Sequence, residues 1–519
     1  MIKINQIHVE IANKLTKQHI AHKLHCKETD ILSYTIDKES LDARKNELHY
    51  SYTVFAEVRN ENKYLKLKDV TLGKKEKYEL PSVTKNITDR PIVVGFGPAG
   101  MFSALILAEC GLKPIVIERG KCVEERSKDI DAFFHEGKLN TESNVQYGEG
   151  GAGTFSDGKL TTRMKNVRIS KVLDEFVEAG AQEEITYQHR PHLGTDQLQD
   201  IVKNIRLKVI SLGGEVHFNT KLEQLLLDNH KVIGVNTNQG NFMSHTVLLC
   251  IGHSASDTYE KLLKQGTNIE QKDFAIGVRV EHPQQLINQN TYGKYANEPS
   301  LGAASYQLTA KTSVNRGVYS FCMCPGGVVV PASTEENTLA VNGMSYQARD
   351  GKNANSAILV QIQRSDFDHG HPLDGFTFQK ELEKKAYRSN YNAPSMNIKD
   401  YVQHTQTTNL VIESSYPRGL SIEDMHSLFS SEVNQALEEG FQQFDKRIPG
   451  FINQGIMVGM ESRSSSPIRL LRDEFGCSIS IEGLFPSGEG AGYAGGIISS
   501  AVDGIKQAEN VINYLLKNI

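Results

Sequence analysis

Cysteine is scarce: seven in 519 residues cannot form a dense disulfide framework, and the odd count leaves at least one thiol outside any pairing within a monomer. A reducing compartment is the simpler reading. Charge of one sign is also lacking. Lys+Arg number 57 against 62 Asp+Glu, a formal net charge of −5, and glycine and proline, at 43 and 15, take an ordinary share. Collagen-like, disordered and strongly nucleic-acid-binding chains are thereby excluded. Long hydrophobic runs are missing too. The longest, such as 246–252 and 326–332, fall far short of the roughly 20 residues of a membrane helix. The opening MIKINQIHVEIANKLTKQH has no apolar core of signal-peptide length. A soluble, cytoplasmic protein with no membrane and no DNA partner is expected, and the length suggests two to four domains.

Residues 1–88 read as a separate α+β module. Residues 13–25 place apolar side chains near helical spacing, and HYSYTVFAEVR at 49–59 alternates as a half-buried strand does. The module holds sixteen Lys+Arg and twelve Asp+Glu. A lysine-rich solvated surface accounts for that surplus, and RNA or protein docking is the other reading, with no RNA-binding motif behind it. The character changes at Arg90. PIVVGFGPAGMFSALILAECGLKPIVIERG is strand, glycine turn, apolar helix, turn and strand, a βαβ unit. A second crossover is expected from a helix at 195–212 and a strand at 215–218, followed by a three-stranded meander at 222–227, 231–236 and 242–250. The division that results is 1–88, a first cofactor-domain part at 89–270, an inserted domain at 271–460 containing a helix at 427–444, and a returning part at 461–519.

Chemistry concentrates in the glycines. Gly95, Gly97, Pro98, Ala99 and Gly100 follow an apolar strand and open a helix, the context that makes GxGxxG a dinucleotide fingerprint. Gly95 permits the turn, Gly97 admits a pyrophosphate to the backbone, and Gly100 lets helix and strand approach; the helix N-terminus offers N–H groups and partial positive charge. Glu118, followed by Arg119, ends the next strand. Its carboxylate suits the ribose hydroxyls of FAD or NAD and repels a 2′-phosphate. Near the C-terminus, Gly488, Glu489 and Gly490 form a second glycine turn before the apolar helix 497–516. FAD oxidoreductases of this architecture close on their cofactor with such a segment, which decides for FAD, and Glu489 stands where a ribityl contact is expected. The strand ending at Gly252 agrees, and no second GxGxxG offers NADPH a domain of its own. Any NAD(P)H would bind transiently.

Gly150, Gly151, Gly153, Thr154 and Lys159 lie in a glycine-rich stretch, 146–159, read as a loop along the flavin with Lys159 stabilising negative charge. A flexible loop is the bland alternative. Cys322 and Cys324 form a CxC; a redox dithiol is weighed against buried structural cysteines, with both side chains expected on one side of a strand. No Cys/His pair completes a zinc set, so no metal is expected. His192 and Glu461 are candidates to orient substrate, and Arg463 to clamp a carboxylate; ordinary hydrogen-bonded loops would look the same.

Together these stretches, with Ser40-Leu-Asp-Ala-Arg-Lys45, 192–196, 320–327, 342–346, 353–357, 461–467 and 488–504, resemble a bacterial family of uncharacterised FAD-dependent dehydrogenases. Ser464, where that family more often has threonine, is a departure. The resemblance implies an α/β chain: a Rossmann-type FAD-binding domain, an inserted α+β substrate domain and the small N-terminal module. It also implies non-covalent FAD and oxidoreductase activity on a small-molecule substrate it does not name. A flavin monooxygenase, or a non-catalytic FAD-binding regulator docking RNA or a partner through 1–88, are the alternatives.

Overall fold

The computed structural model describes residues 1–42 and 47–518. Residues 43–45 of the Ser40–Lys45 motif lie outside the described residues. Two compact units form: a smaller one of 1–79, 159–192 and 298–302, and a larger one of 80–158, 193–297 and 303–519. The linear division at residue 88 therefore omits two segments that cluster with the N-terminal module.

The smaller unit is built on an antiparallel sheet ordered Ile31–Asp42, His49–Val58, Ile2–Glu10 and Val70–Leu72. Its first strand shows how sequence sets register. Ile2 and Ile4 are buried, then Ile7 and Val9, a spacing that would turn the second pair outward in a regular strand. Gln6, at φ +56°, lies where the register shifts between Ile4 and Ile7, and this bulge returns both pairs to one face. Helix Lys17–Leu24 covers that face with Ile20, Ala21 and Leu24.

The larger unit contains a five-stranded parallel sheet ordered Leu484–Pro486, Val247–Leu249, Ile92–Val94, Ile115–Ile117 and Glu215–His217. Helix Pro98–Glu109 is buried from Ala99 through Ala108, as an apolar helix covered on every side must be. It packs against the C-terminal helix Ile497–Lys517 so closely that a Cβ on Gly504 would stand 2.2 Å from the Ala99 carbonyl oxygen. The predicted meander is present, with one correction. Its third strand is Gly240–Met243, whereas Val247–Leu249 pairs with Ile92–Val94 in the parallel sheet. The apolar run 242–250 is broken where Ser244 and the His245 amide donate to Asp89.

Residues 274–461 supply a mixed seven-stranded sheet ordered Thr309–Lys311, Gly317–Cys324, Asn353–Ile362, Phe274–Pro283, Ile456–Glu461, Ala393–Asn397 and Leu420–Ile422. Helix Ser431–Arg447 packs beneath it through Val433, Leu437, Phe441 and Phe444. Among the described residues no helix is long and apolar enough to cross a membrane.

Candidate functional site

Parallel pairing carries Ile92–Val94, Val247–Leu249 and Leu484–Pro486 to one edge, so Gly95, Gly252 and Gly488 emerge together at the carboxyl ends of adjacent strands, where open α/β sheets bind ligands. Gly95 turns at φ +93°, and a Cβ on it would lie 2.4 Å from the Cys250 carbonyl oxygen. A Cβ on Gly100 would lie 1.9 Å from the Gly95 carbonyl oxygen. Gly97 is different. It caps helix Pro98–Glu109, whose first turn has no side-chain cap, and a Cβ there would meet only Gly151, at 3.6 Å. Pro98 has no N–H to lose, and the start of the helix, with Ala99, is left open as an anion site.

The glycine-rich loop docks against this turn. The Gly150 amide donates to the Phe96 carbonyl at 2.8 Å, Gly153 sits over Ile497, and the Thr154 carbonyl accepts from the Thr195 hydroxyl at 2.7 Å. Glu118 holds the assembly. Buried, its carboxylate accepts from the amides of Phe96 (2.8 Å), Gly120 (2.9 Å) and Gly148 (3.0 Å). Of about four acceptor sites on a carboxylate that leaves one, fewer than a pair of ribose hydroxyls needs, so the loop is what Glu118 positions here. Arg119 lies over the Tyr147 ring, 4.0 Å from its centroid, and pairs with Glu142 and Asp257. Burial works against charge on Asp257, yet Arg119 and Lys221 hold its carboxyl down to about 2. From the far end of the chain, Gly488 packs on Ala99 and Gly490 on the Gly252 carbonyl.

Glu149, in the same loop, is fully buried. Burial pushes its carboxyl up to about 7, against the opposing pull of the Val123 amide and Arg206. A carboxyl raised in the folded state binds its proton more tightly there than in the unfolded chain. Stability is therefore highest below its ordinary value of 4.5 and falls as pH rises towards 7, by an amount on the order of 3 kcal/mol. Urea unfolding of Glu149→Gln across that range is expected to show the decline flattened; an unchanged slope would assign it to other groups.

Beside the glycine edge lies a cavity of about 330 Å³, lined by His253, Glu260, Lys264, His371, Glu383 and Arg463 among others. His253 Nδ1 is 3.1 Å from Glu489 Oε1. Among the described residues its Nε2 is buried without a hydrogen-bond partner. The Arg463 guanidinium grips Glu383 in a two-point pair, 2.8 and 2.7 Å, and donates to Thr334 Oγ1 at 2.5 Å.

The other predicted residues separate. Glu461 faces Arg279 rather than the cavity, at 3.0 and 3.3 Å, and Asn355 (2.7 Å) and Asn342 (3.3 Å) accept from the same guanidinium. The polar motifs around 342 and 355 thus serve a buried ion pair. The two cysteines do not share a side: the strand bulges between Phe321 and Cys324, Cys322 takes φ +42°, and Cys322 is exposed while Cys324 is buried. Lys159 and His192 form an antiparallel bridge within the smaller unit. His253, Glu149 and Glu383 were not singled out from sequence. For His253 a signal existed, a polar side chain directly after the glycine that ends a central parallel strand.

Residues 273–464 match a family model described as "FAD-dependent protein, C-terminal domain-like", and residues 1–57 match a domain of unknown function, DUF8436. An uncharacterised protein of Clostridium beijerinckii is 47% identical over 524 residues, 98% of each chain. The chain belongs to this FAD-dependent family. Solved structures give looser likenesses. A glycine oxidase from Bacillus cereus has TM-score 0.31 at 11% identity, covering 82% of this chain and 96% of that one. A geranylgeranyl bacteriochlorophyll reductase-like protein from Thermoplasma acidophilum has TM-score 0.36 at 11% identity, covering 83% and 79%. A glycerol-3-phosphate dehydrogenase from Bacillus halodurans, complexed with FAD, has TM-score 0.35 at 10% identity, covering 84% and 65%.

The protein is a flavoprotein whose cofactor is FAD, and its own residues fit that group. Gly97 and Gly151 face each other across a cradle that a Cβ on either would fill, at 3.6 and 3.0 Å, beneath an uncapped helix start. His253 lines the neighbouring cavity.

Proposed function

We propose that this flavoenzyme exchanges a hydride or electron pair between an organic substrate and the flavin N5, with the substrate held in the cavity beside His253 and Arg463. One observation carries the reading: cofactor edge and cavity share a wall, because Glu489 of the Gly488–Gly490 turn contacts His253, which lines the cavity. Bound FAD supplies the two-electron chemistry. The chain supplies position. Gly97, Gly151 and the amides of the helix start would hold the pyrophosphate, and Gly488 and Gly490 would close on the far side. Glu383 and Thr334 fix the Arg463 fork, leaving two of its five N–H groups for a substrate oxygen.

Anaerobic titration of the FAD-loaded protein with NADH, NADPH and candidate organic reductants, read as flavin bleaching, tests this. Bleaching by an organic donor, and a return of colour with a second acceptor, is the expected result. A flavin that no two-electron donor bleaches would overturn the reading, and rapid oxygen-dependent NADPH consumption on adding substrate would reassign the enzyme to the monooxygenases.

A further inference from the structure

His404, His426 and Glu438 converge in the larger unit, apart from the cavity that His253 and Arg463 line. Three local structures bring them together. His404 ends helix Ile398–Gln403 in the left-handed region, at φ +53°. His426 sits in the tight turn Met425–Leu428, its ring stacked on Tyr401 at 4.0 Å and its carbonyl held by the Asn434 side-chain amide at 2.9 Å. Glu438 belongs to helix Ser431–Arg447. The set contains no cysteine and is spread between residues 404 and 438, so no zinc-finger spacing announces it.

His426 Nε2 is hydrogen-bonded to Glu438 Oε1 at 3.2 Å, and His404 Nε2 lies 3.3 Å from the same oxygen. All three ligand atoms fall within 4.8 Å of one another. On its other side His426 Nδ1 is hydrogen-bonded to Asp424 Oδ1 at 2.7 Å, and the His426 backbone amide donates to that oxygen at 3.0 Å, which fixes the carboxylate. Both ring nitrogens of His426 therefore face carboxylates. A neutral imidazole has one N–H, so one of the two contacts sets a lone pair against a carboxylate oxygen unless a cation stands between them. An extra proton on each histidine would satisfy the carboxylates, but it would stack two imidazolium rings 4.7 Å apart, like charge on like. A single divalent ion between the two Nε2 atoms and Oε1 removes both conflicts. It takes the lone pairs, offsets the Glu438 charge and leaves Nδ1–H to Asp424, the carboxylate–histidine–metal arrangement. The spacing agrees, since a tetrahedral ion with bonds of about 2.0–2.1 Å sets its ligand atoms about 3.3–3.4 Å apart.

We propose that His404 Nε2, His426 Nε2 and a Glu438 carboxylate oxygen form a site for a divalent transition ion of the zinc type, with water in the fourth position. Two imidazoles select such an ion over calcium or magnesium, which take oxygen ligands. The His404 side chain, 64% exposed, has room to tilt out of its near-parallel stack on His426 and close the set. Asp424 is a positioning residue, acting through His426.

The test uses the full-length, FAD-loaded protein, stripped with EDTA, desalted, titrated with zinc chloride in a calorimeter and examined by X-ray absorption at the zinc edge. The expected result is one zinc ion per chain, bound at least about a hundredfold more tightly than calcium or magnesium. Its ligands should be nitrogen and oxygen at about 2.0–2.1 Å, two of them imidazoles, with no sulfur. At native flavin content, affinity should fall by about tenfold or more in His404→Ala, in Glu438→Gln and in Asp424→Asn. His49→Ala, in the other histidine grouping with His8 and Asp42, should bind zinc as the native chain does. No uptake of zinc, sulfur among its ligands, affinity unchanged in His404→Ala and Glu438→Gln, or affinity lost in His49→Ala would overturn the proposal.

Discussion

Gly97→Ala is expected to fold as the native chain does and to lose its FAD. The added Cβ would meet Gly151 at 3.6 Å, an ordinary van der Waals distance, so nothing in the protein resists it. The methyl would instead stand in the cradle where the pyrophosphate must approach the backbone, and a fall in FAD affinity of about a hundredfold or more, some 2.7 kcal/mol, is expected by calorimetric titration of the apoprotein. Gly100→Ala is the contrasting case. Its Cβ would lie 1.9 Å from the Gly95 carbonyl oxygen, backbone that cannot step aside, so strand and helix must separate and the larger unit should unfold at lower denaturant with or without FAD. Equal behaviour of the two variants would mean that Gly97 is only a packing glycine.

The second large effect concerns Arg279 and Glu461. Both are buried, Arg279 completely, and burial works against the guanidinium charge while Glu461 and the nearby cysteines sustain it. Glu461→Ala would leave that cation without its carboxylate in the middle of the seven-stranded sheet, at a cost of about 3–5 kcal/mol. Replacing both partners with methionine should recover most of the loss, since the uncompensated charge is what destabilises. Denaturant unfolding of the single and double variants measures this. A single variant as stable as the native chain would show that Glu461 is free to serve substrate, as its place in the sequence suggested.

The cofactor edge was legible because it is written in local chemistry. Gly95, Gly97 and Gly100 announce a tight turn between an apolar strand and an apolar helix, and the strands and helix stand at Ile92–Val94, Ile115–Ile117 and Pro98–Glu109. The C-terminal helix likewise begins at Ile497, just after its glycine turn. Side-chain roles were less legible, because they depend on partners far away in sequence. Arg463 reads as a free clamp, and only the structure shows that Glu383 fixes one side of its fork; Glu461 reads as a group orienting substrate until Arg279 is found opposite. Glu118 ends its strand as a ribose ligand would, yet backbone amides from three separate turns converge on it. The cysteine pair failed for a local reason that no period-two reading contains, a bulge with a non-glycine residue in the left-handed region. Residues 159–192 return to the N-terminal module, and nothing in their composition says so.

The visible spectrum of the purified full-length chain, recorded as isolated and again after adding FAD and removing the excess, tests the central claim most directly. The account predicts the two-banded absorption of oxidised flavin, close to one FAD per chain, retained through gel filtration in the native protein and lost in Gly97→Ala. A folded native chain that stays colourless under both conditions would contradict it.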